Sequence, residues 1–279
     1  MTDSTIASPD LPDNISAEQE VPNSTIQTLL ERRTIRAFDS TPIPPKTVEL
    51  LELTAQHAAT SRYFNEWSAI RVSDPELLAT IAKESHQPYI AQAPLLYIFL
   101  ADQRRNADLI AAEAPEVSTE DEGFILNTSY AFLQAQNDAV LALHAMETAA
   151  NSLGLGCVIL GSVINDPDTL IDLLQLPKLV YPVLGLAIGK PAQAPDPKPR
   201  MPQRAQIFTN SYQRASQDEI RQALDEFDQR VLKYYHDIRH VDAPRKTFSQ
   251  IMADKALSIK DNHSPMAPSI ERQGFDLSK

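Results

Sequence analysis

Seven glycines in 279 residues leave this chain few places to turn its backbone with positive φ or bring it close to another group. Five of the seven, Gly154, Gly156, Gly161, Gly185 and Gly189, fall between positions 151 and 200. Glycine is the residue used where a left-handed conformation or a close backbone approach is required. This stretch is therefore where the architecture is most constrained. It ends in Lys198-Pro199-Arg200, two cations on a proline-stiffened loop. Close-approach backbone followed by fixed cations points to a large anionic cofactor.

A dinucleotide fingerprint is the rival reading of the same glycines. It requires G-x-G-x-x-G after a strand and at the opening of a helix. Here Ile159 holds the third glycine position, and the next glycine is Gly161. A long helical pattern at 128–152 precedes the glycines and an apolar, strand-like run at 157–160 follows them. Gly154 and Gly156 therefore read as a helix C-terminal cap and turn.

The charge balance narrows the partners. A formal net charge of −12 repels phosphate at long range, so neither nucleic acid nor an anionic membrane is an expected partner. Any anion site must be local. The single cysteine, Cys157, excludes an intramolecular disulfide, argues against a zinc cluster and, in its apolar run, is expected to be buried packing. No apolar run approaches the ~18 residues of a membrane helix. The first thirty residues hold no Lys or Arg, which argues against signal and transit peptides. A cytoplasmic location is the resulting expectation.

Along the chain, residues 1–22 read as a flexible acidic leader. A capped helix is expected near 25–30, followed by Arg32-Arg33-Thr34-Ile35-Arg36. Three arginines with a hydroxyl among them form either a solvated basic turn or a phosphate clamp. Helices are expected at 46–57, 74–82, 138–152, 168–174, 218–236 and 248–257, and strands at 69–72, 94–101, 157–160 and 179–188. Residues 103–127 read as charged and irregular, and His144 as a packing residue on an apolar helix surface. The lack of a regular βαβ alternation favours α+β.

Several spaced motifs coincide. They are R-R-T-I-R-x-F after the first helix, A-T-S-R-Y-x-x-x-W-S, H-Q-P-Y-I-A-Q-A-P before a strand ending in A-D, S-L-G-L-G-x-V-I-x-G, and G-x-P-A-x-x-P-D-x-K-P-R. In order and spacing this set resembles the nitroreductase/flavin reductase superfamily, in particular its oxygen-insensitive NADPH nitroreductases and NADPH–flavin oxidoreductases. The resemblance covers residues 23–275. It implies an α+β fold with a central mixed, mainly antiparallel sheet flanked by helices, in an intertwined homodimer. It implies one FMN-binding domain over 23–279, with a C-terminal helical arm from about 216 that embraces the partner.

By position, the resemblance assigns Arg32, Arg33, Thr34 and Arg36 to the FMN phosphate and ribityl chain. It assigns Thr60, Ser61 and Arg62 to a segment that lines the flavin from the partner subunit, and Gln87 to a hydrogen bond with the ring. Leu160, Gly161 and Ser162 match the backbone beside the ring's reactive edge, and Lys198 and Arg200 the completing cations. Arg32 stands where relatives often have histidine, Asn65 where glutamine is common, and Ser162 in place of a second glycine. These departures bear on substrate range. The implied reaction is ping-pong hydride transfer from NADPH or NADH, through flavin N5, to a nitroaromatic, quinone, azo compound or free flavin. A flavin sensor or store without turnover, and a specialised reaction such as reductive dehalogenation, are the alternatives. The flavin carries the chemistry, so neither a catalytic side chain nor a metal is expected. In the tail, Arg239, Arg245 and Lys246 are the expected contacts for the NADPH 2′-phosphate.

Overall fold

The computed structural model describes residues 23–235, 246–256 and 266–279. Its helices and strands in chain order are α1 (Ser24–Glu31), α2 (Pro45–Gln56), β1 (Trp67–Val72), α3 (Pro75–Glu84), β2 (Leu95–Asp102), α4 (Arg104–Glu113), α5 (Ser129–Ser152), β3 (Gly156–Leu160), α6 (Pro167–Leu173), β4 (Val180–Gly189), α7 (Gln217–Lys233), α8 (Phe248–Lys255) and α9 (Met266–Arg272). The described residues fall into two compact units. One holds 23–33, 195–235 and 246–256, and the other 34–194 and 266–279.

The first unit is helical, and its helices start where the sequence supplies caps. Asn23 accepts the Ile26 N–H, while Ser216 with Glu219 and Thr247 with Gln250 form reciprocal capping boxes. Phe227 of α7 packs edge-on against Phe248 of α8, with centroids 5.2 Å apart. The arm expected from about 216 is thus divided. Residues 217–235 and 246–256 lie in this unit, and 266–279 belong to the other.

The second unit is built on a four-stranded sheet in the order β1-β2-β4-β3, antiparallel throughout. Among the described residues, parallel pairing is limited to the isolated bridges Thr34–Cys157 and Thr128–Asp276. Strand β2 is central, and its alternation sorts the core into two layers. Tyr97, Phe99 and Ala101 join the layer under α2 and α5, and Leu96, Ile98 and Leu100 the layer that includes residues of α3 and α6. The C-terminal segment closes the first layer. Phe275 is buried against Phe132, and Gln273 donates to the carbonyls of Pro177 and Val180.

The glycines divide their work. Gly154 has φ +75°; its N–H bonds Asn151 O at 3.0 Å and the next N–H, of Leu155, bonds Ala150 O at 3.0 Å. This is the Schellman end of α5. The close approaches at Gly156 and Gly189 are to the chain itself, and Gly156 opens β3 rather than lying in the turn after α5. A Cβ on Gly156 would lie 2.7 Å from the Ile35 side chain, and one on Gly189 2.8 Å from Phe38 and Pro94. Gly156→Ala is expected to destabilise the protein by about 1–3 kcal/mol through overpacking. Thermal denaturation measures this, and Ile35→Ala in the same chain should recover part of the loss.

Two helices and one side chain depart from expectation. Residues 104–113 form α4, whose sequence RRNADLIAAE buries only Ala107, with Ile110 partly buried against the core. Both Arg104 N–H and Arg105 N–H donate to Asp102 Oδ1, which starts the helix from the strand before it. Helix α9 is held by Arg272 on Asp168 and Asp172. His144 is exposed rather than packed, with Nδ1 3.2 Å from the buried Glu147 carboxylate.

Candidate functional site

Three groups of sequence-predicted residues lie in the sheet unit. The first runs along the β3 edge. Ile35 N–H donates to Cys157 O at 2.9 Å, Ala192 N–H to Ala37 O at 2.9 Å, and Asp39 N–H to Lys190 O at 2.9 Å. These bonds stretch residues 34–39 beside β3 and the end of β4. Ile35 is buried and fills the space over Gly156, and the alternation of an extended chain directs Arg36 away from it. Arg36 is half-buried and makes no ion pair with any described residue.

The second group sits where β3 ends. Leu160 is buried and pairs with Gly185. The chain then turns through a single 3₁₀ stretch, Gly161–Ile164. Gly161 is exposed, and nothing lies within 4 Å of where its Cβ would be. Ser162 beside it is half-buried. Gln87 caps the 3₁₀ stretch Pro88–Gln92 after α3. Ser85 from the end of α3 and Val163 from the β3 turn line one small cleft, so Gln87 and Ser162 neighbour the same face of the sheet.

The third group, Thr60, Ser61 and Arg62, precedes β1 at the opposite edge. Three strand spacings, about 14 Å, separate β1 from β3. Arg62, Tyr63 and Asn65 have φ of 51°, 62° and 50°, a left-handed conformation that costs non-glycine residues roughly 1 kcal/mol or more apiece. Surrounding bonds hold it. Asp138 of α5, 1% exposed, accepts Ser61 N–H at 2.9 Å and Glu66 N–H at 3.1 Å. Arg105 of α4 donates to the carbonyls of Asn65 and Trp67, and Asn106 to that of Phe64. The Arg62 guanidinium lies 4.7 Å from the Phe64 ring centre and 5.6 Å from that of Tyr130. Beneath the loop, burial holds the Glu66 carboxyl above the usual range; Gln103 and Arg62 pull it down, and Asp138 adds to the rise.

Of the remaining predicted residues, Arg32, Arg33, Lys198, Arg200 and Lys246 belong to the helical unit. Arg32 and Arg33 close α1 and are half-buried. Lys198 is half-buried, and its carbonyl accepts a 3.1 Å bond from Arg200 Nη1. Lys246 is held by Asp254 at 2.5 Å, and Arg239 and Arg245 lie outside the described residues. A cavity of about 530 Å³ between β2, α4 and the turn into β4 contains none of the predicted residues. The sequence reading missed Asp138 and Glu66. The signal was present for the first: Asp138 stands three residues after Ala135 and four before Ala142, both wholly buried, so an acid occupies the inward stripe of α5.

The arrangement can offer a cation and hydroxyls at one sheet edge, an open backbone turn beside a glycine, and a rigid polar loop at the other edge. That donor set suits a phosphorylated planar ligand better than a metal or a nucleophilic mechanism.

Comparison with known proteins agrees with this chemistry. The nitroreductase family model matches residues 29–190, and the model for the nitroreductase family C-terminal domain matches 198–278. FMN reductase (NADPH) of Bacillus subtilis strain 168 is 34% identical over 218 residues, 77% of this chain and 84% of that protein. The oxygen-insensitive NADPH nitroreductase of Salmonella typhimurium is 30% identical over 252 residues, 90% of this chain and 98% of that protein. The structure of NfrA1 nitroreductase from B. subtilis superimposes with a TM-score of 0.80 at 31% identity, covering 90% of this chain and 99% of that one.

Proposed function

The chain belongs to the nitroreductase family, and from that premise we propose that it is an FMN-dependent NAD(P)H oxidoreductase acting on small redox-active acceptors. The single observation that carries the reading is the open turn at Gly161, exposed at the end of β3 with nothing within 4 Å of where a Cβ would be. A flat ring can approach that backbone closely. A bound FMN would supply the redox chemistry, carrying reducing equivalents from a nicotinamide to a nitroaromatic, quinone, azo compound or free flavin.

The chain's own residues bind, orient and shield. Arg36 offers a charge-assisted fork to the phosphate, and Thr34 a hydroxyl beside it. Leu160, Gly161 and Ser162 present backbone to the reactive edge, where the Ser162 side chain narrows the approach. Gln87 orients the ring by hydrogen bonding. The phosphate and flavin roles of Arg32, Arg33, Lys198 and Arg200 rest on their motifs alone. Thr60, Ser61 and Arg62 sit at the far sheet edge from Arg36, which supports their serving a second copy of the chain, and hence a homodimer whose sites take residues from both subunits. Exposed Tyr130, Leu133, Val140 and Leu141 along α5, with Leu50 and Leu53 on α2, supply apolar surface for that association. The cytoplasmic location expected from the sequence belongs to the same proposal.

Steady-state kinetics with NADPH and a quinone test the reading. Parallel double-reciprocal lines are expected. A protein that holds flavin yet oxidises no NADPH with any acceptor would be a flavin store instead.

The donor proposed is NADPH rather than NADH, read from the basic tail at 239–246. One or two exposed charge-assisted contacts would give about a tenfold to hundredfold preference in kcat/KM, weakening as salt rises. The Arg239→Ala/Arg245→Ala double variant should lose that preference, and one that kept it would remove the tail from the assignment. Lys246 is left out of that test because Asp254 already engages it.

A further inference from the structure

We propose that Asp138 is a positioning residue for flavin binding: its buried carboxylate, by accepting the N–H groups of Ser61 and Glu66, fixes the loop between them in its left-handed form before any flavin arrives. The inference rests on the reading that Thr60–Arg62 contact flavin in the partner subunit's site. Asp138 is 1% exposed on α5, and a charged group is stable there only if its oxygens are bonded. Oδ1 accepts Ser61 N–H at 2.9 Å and Oδ2 accepts Glu66 N–H at 3.1 Å. One side chain therefore binds both ends of the segment. Inside the segment, Arg62, Tyr63 and Asn65 all have positive φ, which this sequence would not adopt unaided.

The opposite side is held as well. Arg105 and Asn106 bind the carbonyls of Asn65 and Phe64, and the Asp102 N–H donates to Glu66 O at 3.0 Å. With its ends fixed to α5 and its carbonyls to α4, the loop turns Arg62, Tyr63, Phe64 and Asn65 outward; Tyr63 is 87% exposed. An exposed arginine and two exposed aromatics would otherwise sample many conformations. Fixing them beforehand removes an ordering cost from binding.

An asparagine at 138 keeps the volume but retains only one oxygen, so one of the two amides loses its acceptor. Trypsin cleavage after Arg62 in the flavin-free protein reads the loop directly. In Asp138→Asn it should accelerate at least about tenfold, with FMN affinity weakened by about the same factor, while amide exchange in β2 stays as in wild type. Unchanged cleavage would overturn the positioning role. Faster cleavage with unchanged FMN affinity would keep the tether and instead overturn the assignment of Thr60–Arg62 to flavin. Should the variant fold poorly, the wild-type protein decides the matter by hydrogen exchange. The Ser61 and Glu66 amides must be protected far beyond those of Arg62 and Tyr63, and equal rates across the four would contradict the proposal.

Discussion

Arg36→Ala is expected to purify pale. Arg36 is half-buried at the β3 edge and forms no ion pair with any described residue, so no described acidic residue competes for a ligand phosphate. A charge-assisted contact of this kind contributes roughly 1.5–3 kcal/mol, which corresponds to about one to two powers of ten in FMN affinity. The fold should be untouched, because Ile35 and Phe38, not Arg36, fill the spaces over Gly156 and Gly189. Equilibrium dialysis of FMN against wild type and variant measures the loss. If Arg36→Ala held FMN as tightly as wild type, residues 32–36 would be a solvated basic turn.

Mixing two flavin-poor variants is expected to restore flavin binding. Arg36 and Arg62 stand at opposite edges of one sheet, so a site that takes the first from one subunit and the second from the other needs two chains. Arg36→Ala and Arg62→Ala homodimers each carry two damaged sites. A heterodimer of the two carries one site with both lesions and one with neither. After unfolding and refolding together, random pairing makes half of all dimers mixed, so about a quarter of sites should bind FMN with wild-type affinity. Each variant refolded alone should show none. No recovery in a mixture shown to contain heterodimers would mean that both residues serve the same subunit's site, or that one of them serves none.

Much of the fold was legible because it is written in local signals. The apolar run of β2, the cap of α1 and the Gly154 terminus of α5 lie where the sequence pattern puts them. Helix α4 was not legible, since its start depends on Asp102 at the end of a strand and it buries only Ala107. The glycines show the limit more sharply. Composition identifies the stretch, but whether a glycine admits a ligand or a side chain of its own protein depends on strand order. The pairing of β3 with β4, and of residues 34–39 with their edge, brings Ile35 to Gly156 and Phe38 to Gly189, while Gly161 at the end of β3 stays open. The candidate site was legible as motifs, whereas its division between two sheet edges required the β1-β2-β4-β3 order. The place of Asp138 on the inward stripe of α5 was legible, but nothing local says that its partners would be amides seventy or more residues away.

The absorbance spectrum of the purified protein, followed through addition of NADPH in the absence of oxygen, tests the central claim most directly. The account predicts a bound-flavin spectrum released as FMN on denaturation, full bleaching by one equivalent of NADPH per flavin, and recovery of colour when a quinone is added. A protein that cannot be loaded with FMN, or whose bound FMN stays oxidised under excess NADPH and NADH alike, would contradict it.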